Sequence, residues 1–158
     1  MFPCRRVALS EACEDPRSLA MSWIQIRDSE NWALVSGTCL ASEIHGWVAH
    51  EVLMRNISRG TMKSNSIDGE FIRLLSGTHH ISTSFKRAGL RYGDQTAWIV
   101  DLSAKQPEES FIQHAEKMNF EIIDVRPNLS IFDSERMGIE GEPSEDAAIG
   151  HIHLSDLR

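Results

Sequence analysis

No run of apolar residues in this chain approaches the roughly 18 needed to span a bilayer, so no membrane-crossing helix is expected. Cysteine is scarce: Cys4, Cys13 and Cys39 are odd in number, and none sits in a CxxC pair. That excludes a disulfide framework and points to a reduced, cytoplasmic setting with buried or inert thiols. The opening MFPCRRVALSEACED has only Val7 to Ser10 between its arginine pair and the next acid, so the apolar region of a signal peptide is missing. Several signature spacings are missing as well. No GxSxG supports a nucleophilic serine, and no GxGxxG or GxxxxGK(S/T) supports a dinucleotide or nucleotide phosphate loop. No HExxH supports a zinc hydrolase, and no internal repeat is found.

What is present is 158 residues, 41% of them hydrophobic, enough for one domain that buries its own core. The net charge of −7 conceals an asymmetry. Residues 55–91 carry seven Lys or Arg against two acids, a balance of +5, whereas residues 133–157 carry seven acids against Arg136 alone, a balance of −6. The plain reading is two solvated surfaces. The sharper one is a local basic surface for phosphates and an acidic tail.

Elements follow from periodicity and punctuation. CRRVALS, NWALVSG, QTAWIVDL and FEIIDV read as strands. Asp15–Pro16 opens a helix with Leu19, Trp23 and Ile26 on one face. Ser42 caps the best helix, SEIHGWVAHEVLMRN, and Gly60 follows it. A loop, TMKSNS, leads to IDGEFIRLLSG, stopped at Gly77, and then to HISTSFKRAGL, where Gly89 fits a left-handed cap. Pro107 starts a further helix, PEESFIQHAEKM. The order predicts a single α/β domain over residues 1–132: a small mixed sheet of about four strands, flanked by helices and carrying a three-helix insert. Residues 133–158, Gly/Glu-rich and poor in apolar residues, read as an acidic, partly mobile tail.

The chemistry-bearing residues converge on no catalytic or metal constellation. His79 and His80 are adjacent, which on a helix points them about 100° apart. His45 and His50 are five apart, and His151 and His153 share a side only in an extended tail. Neither a metal nor a cofactor is expected. The serines read as caps and loop residues. The basic insert is different: Arg offers phosphate a bidentate fork, Lys a point charge, and KSNS ahead of a helix adds hydroxyls and amides.

The run from WALVSGTCLASEIHGWVAHEVLMRN through SRGTMKSNSIDGEFIRLLSGTHHISTSFKRAGL resembles the small PRPK-binding (TPRKB-like) subunit family of the KEOPS, or EKC, complex, in its archaeal type. The resemblance spans about residues 30–125 and rests on "EIH" leading a long helix, "RN" near its end, a short basic loop, "EFIRLLSG", "HI" opening the next helix, and "AGL". It implies a non-catalytic subunit of the complex that makes threonylcarbamoyladenosine in tRNA. Such a subunit docks on the KEOPS kinase/ATPase through insert helices, and archaeal relatives bind the single-stranded 3′ end of tRNA. Carried across, the resemblance implies tRNA contacts at Asn56, Lys63 and Ser64, to which the local basic charge adds Arg55 and Arg59. It implies partner contacts among Glu70, Leu74, Leu75, Ser76, Ile81 and Phe85, which divide between core and kinase. Two departures stand out: histidines in GTHHIS, and an acidic rather than basic C-terminal segment. Two other readings stay open. One is a small phosphate-handling enzyme using His79 or His80 with Lys63, which needs those groups beside a deep pocket. The other is a homodimer joined through the same apolar helix pair.

Overall fold

The computed structural model describes residues 1–105 and 108–157; the helix start expected at Pro107 lies outside the described residues. Strands β1 (Cys4–Ala8), β2 (Trp32–Ser36), β3 (Thr96–Asp101) and β4 (Glu121–Ile123) form one sheet in the order β2-β3-β1-β4. The α/β class and the four strands are those read from the sequence. The three pairings are all antiparallel, so the sheet is antiparallel where a mixed one is read from the sequence. The reason lies in the crossovers. β1 and β2, joined through helix α1 (Pro16–Ile26), do run parallel, but β3 is inserted between them. The same holds for β3 and β4, joined through α5 (Glu108–Lys117) and separated by β1. This is the split βαβ arrangement, in which parallel strands are never neighbours.

Both faces of the sheet are covered, so successive strand residues feed two separate cores. Trp32, Leu34, Ala97 and Ile99 point to one side, where Trp23 of α1 and Phe111 and Ala115 of α5 meet them. Ala33, Val35, Trp98 and Val100 point to the other, under the helical insert. That insert is α2 (Glu43–Arg59), α3 (Ile67–Ser76) and α4 (Ile81–Arg87), placed between β2 and β3. Ser42 caps α2 by accepting from the His45 amide, and Ser66 caps α3 by accepting from the Gly69 amide. Gly60 and Gly77 end these helices with φ of 66° and 65°, the left-handed conformation that glycine alone adopts without strain.

Gly89 behaves otherwise. α4 stops at Arg87 with Ala88 in a right-handed conformation, and Gly89 has no positive φ. Glycine is needed there for space, because a Cβ would lie 2.5 Å from the Phe85 carbonyl oxygen.

The segment after Asp133 is not a separate tail. It forms α6 (Glu145–Ile152), capped by Ser144, and Met137, Ala148 and Ile152 are buried in the same core as α2 and α3. A half-buried Arg136–Asp94 ion pair at 2.7 Å fastens its start to the loop after α4. Three well-spaced apolar residues among many acids are enough for docking when each lands on an uncovered stripe.

Candidate partner-binding surface

α3 is the centre of the insert. Gly69 through Ser76 are all buried, because α2, α4, α6 and the edge of the sheet enclose the helix on every side. Leu74 and Leu75 are therefore core residues and carry no exposed surplus. Ser76 is also fully buried: its hydroxyl donates to the carbonyls of Ile72 at 2.7 Å and Ser84 at 3.0 Å, tying α3 to α4.

Glu70 and Arg73, one turn apart, form an ion pair with both side chains at 0% exposure. Charges so buried survive only with all their hydrogen bonds made. Arg73 Nε and Nη2 donate to the two Glu70 oxygens at 2.9 and 2.8 Å. Asn56 Nδ2 adds a third donor at 2.9 Å, and the backbone amides of Lys63 and Ser64 each donate to Glu70 Oε1 at 3.2 Å. Burial pushes the Glu70 carboxyl up, but Arg73 and Asn56 outweigh it and hold it below the usual range. Asn56 and Glu70 thus fix the shape of the loop instead of meeting a partner. Ser64 is half-buried, and its hydroxyl has no hydrogen-bond partner.

Of the basic residues, Arg55, Arg59 and Lys63 are exposed, the first two four apart on the last turns of α2 and hence on one face. Lys63 Nζ lies 3.4 Å from Asp156, a residue that no sequence pattern singles out. Arg73 is absorbed into the core. Arg87 donates to the Ser76 carbonyl at 2.7 Å, so the +5 of residues 55–91 is spent in part on internal bonds.

His79 and His80 precede α4 instead of riding on it, so their rings lie side by side, 4.1 Å between centroids, and do not diverge. Both are exposed. Lys63 lies before the start of α3 and the two histidines after its end, beyond opposite ends of a helix about 15 Å long. The constellation of an enzyme using both is not assembled. No group of three or more His, Cys, Asp or Glu is placed to hold a metal among the described residues.

Apolar exposure is concentrated elsewhere. Ile81 and Phe85, one turn apart on α4, are 40% and 45% exposed. Phe85 forms one wall of a groove of about 320 Å³ whose other wall is α1, with Ala20, Trp23 and Ile24, and whose floor includes Leu34 and Ile72. Ile24 is 54% exposed and Met21, three residues earlier, 55%. An Arg27–Asp68 ion pair at 2.6 Å joins the end of α1 to the start of α3 in the groove lining. The sequence signal for Ile24 was its place outside the Leu19–Trp23–Ile26 stripe: an apolar residue off the core face. No helix among the described residues is long and apolar enough to cross a membrane.

A sequence-family model described as kinase binding protein CGI-121 matches residues 14–136, from just before α1 to just after Asp133. No curated protein matches the chain.

Proposed function

Since the chain belongs to the CGI-121 family of kinase binding proteins, we propose that it is the non-catalytic, cytoplasmic accessory subunit of a KEOPS complex, gripping the PRPK-like kinase/ATPase through the α4–α1 face. The observation that supports this most is an apolar groove lined by Phe85 of α4 and by Ala20, Trp23 and Ile24 of α1, with Phe85 45% and Ile24 54% exposed. Monomeric proteins rarely leave such an apolar surface open without a partner. Two walls at a fixed separation suit a helix or strand edge of another protein, with Phe85 as an aromatic anchor of the kind that dominates binding energy.

The test is capture of the KEOPS kinase by purified protein. Phe85→Asp should weaken capture at least about 30-fold, as expected for a hot spot, while the far-ultraviolet spectrum stays unchanged. Full capture by the folded variant overturns the assignment of the face. If the substitution instead turns an isolated dimer into a monomer and leaves the kinase bound, the face joins two copies of the chain.

The tRNA part of the reading rests on Arg55, Arg59 and Lys63, the exposed cations at the end of α2 and in the loop that follows. A chain of net −7 attracts RNA only through such a local surface. Binding of the 3′ end should weaken with salt at roughly −0.7 in log units per phosphate contact. Removing CCA from the tRNA should abolish it, and equal binding of trimmed tRNA overturns the 3′-end assignment.

A further inference from the structure

Asp156 is the acid that faces the Lys63 side chain of the basic loop. Its Oδ1 lies 2.9 Å from Arg73 Nη1 and 3.4 Å from Lys63 Nζ, so two cations converge on one carboxylate oxygen. The two sides of this contact differ in character. The Arg73 side chain is 0% exposed and Asp156 is 56% exposed, so the carboxylate closes the Arg73 guanidinium off from water while itself standing at the surface. Arg73 is rigid, with Nε and Nη2 held by Glu70 and Nη1 also donating to the Ser155 carbonyl at 3.2 Å. Asp156, by contrast, stands at the surface on a turn after α6, where the Leu157 amide donates to the Leu154 carbonyl at 2.9 Å and Leu157 is 76% exposed.

We propose that Lys63 Nζ and Arg73 Nη1 form a phosphate-binding site that the chain's own Asp156 carboxylate fills until a phosphate displaces it. The charges support this. Lys63 and Arg73 balance Glu70 and Asp156, so the filled site is neutral, and release of Asp156 leaves one uncompensated positive charge beside a preorganised guanidinium. A phosphate group presents oxygens to both donors as the carboxylate does, and it carries further acceptors. The resident carboxylate is displaceable, since Asp156 itself is 56% exposed and its pair with the half-exposed Lys63 is a surface one, of the kind that contributes little. Its advantage is being tethered, which gives it an effective concentration in the millimolar range. Free phosphate at low concentration therefore fails to displace it, whereas a phosphate delivered on a strand already held by Arg55 and Arg59 succeeds. The delivery by RNA rests on the tRNA reading above; the site itself does not.

Two measurements separate the site from that reading. The first is thermal stabilisation by inorganic phosphate, compared with chloride at matched ionic strength. Wild type should gain little at a few millimolar phosphate. Asp156→Asn should gain a phosphate-specific shift, and Lys63→Ala/Asp156→Asn should lose it. No phosphate-specific shift in Asp156→Asn overturns the site. The second is tRNA affinity. Asp156→Asn should tighten it about three- to fivefold, the equivalent of releasing one exposed ion pair. Glu142→Gln, which removes the same charge from an exposed residue outside the site, should change it far less. Equal tightening by both substitutions overturns the latch in favour of general charge. If no variant binds tRNA, the RNA reading falls, and the phosphate measurement alone decides the site.

Discussion

At the scale of single residues, Glu70 shows how far a motif residue can differ from its apparent job. It looks like a polar signature on an exposed helix, yet it is fully buried, with Arg73, Asn56 and two loop amides donating to it. Glu70→Gln should destabilise the protein by about 3–5 kcal/mol, because it removes the buried carboxylate that Arg73 Nε and Nη2 reach and leaves only the surface carboxylate of Asp156 to balance the buried guanidinium. The check is urea unfolding, accompanied by hydrogen exchange at the Lys63 and Ser64 amides, which should accelerate. A loss below about 1 kcal/mol contradicts this account. Sequence pattern could mark Glu70, Leu74, Leu75 and Ser76 as one cluster but not divide it between core and surface. Periodicity identifies the faces of a helix; which neighbour covers each face is a tertiary fact. Ile81 and Phe85, by contrast, kept the exposure that a surplus apolar stripe implies.

At the scale of elements, α6 explains most of what was illegible. With it in place α3 is enclosed, and His151 reaches the Ser76 carbonyl at 2.8 Å. Its sequence carries a start signal, Ser144 followed by Glu145 and Asp146, but only eight residues of helix, with Gly138 and Gly141 ahead of it and Gly150 within it, which resemble a linker. The strands and the long helices were legible because their apolar periods extend over several turns or pleats and end in glycine or proline. Ser144→Ala should cost about 1 kcal/mol, the usual worth of such a cap. The loss should be local: amides from Ala148 to Ile152 should exchange faster while those of β3 keep their protection. Uniform acceleration across the sheet contradicts a separable α6.

At the scale of the whole molecule, buried ionisable groups make stability depend on pH. His45 is 1% exposed; its Nδ1 accepts from the Ala41 amide, and its Nε2 has no hydrogen-bond partner among the described residues. Burial first, and the nearby His151 second, depress its pKa from 6.5 to about 3. The folded state therefore holds the ring neutral while the unfolded chain protonates it at its ordinary value. The stabilisation is complete above about pH 6.5 and is lost as pH falls towards 3, at about 1.4 kcal/mol per pH unit. Glu43, held low by Arg126, and Glu70 act in the same sense below the ordinary carboxylate range. His45→Gln should flatten the pH profile of the urea midpoint between pH 6.5 and 4.5, and an unchanged profile removes His45 from the account.

The position of β1 within the sheet has a further consequence, for biosynthesis. Its two neighbours are β3, through residues 96–100, and β4, through residues 121–123. The first strand to leave the ribosome is thus the one that must wait longest for partners, and it carries buried Cys4 and Val7 while it waits. At a synthesis rate of about 5–20 residues per second, roughly 5–25 seconds pass before β4 exists. Neither core can close while translation is still in the insert, so the apolar faces of β1 and β2 stay uncovered until β3 emerges.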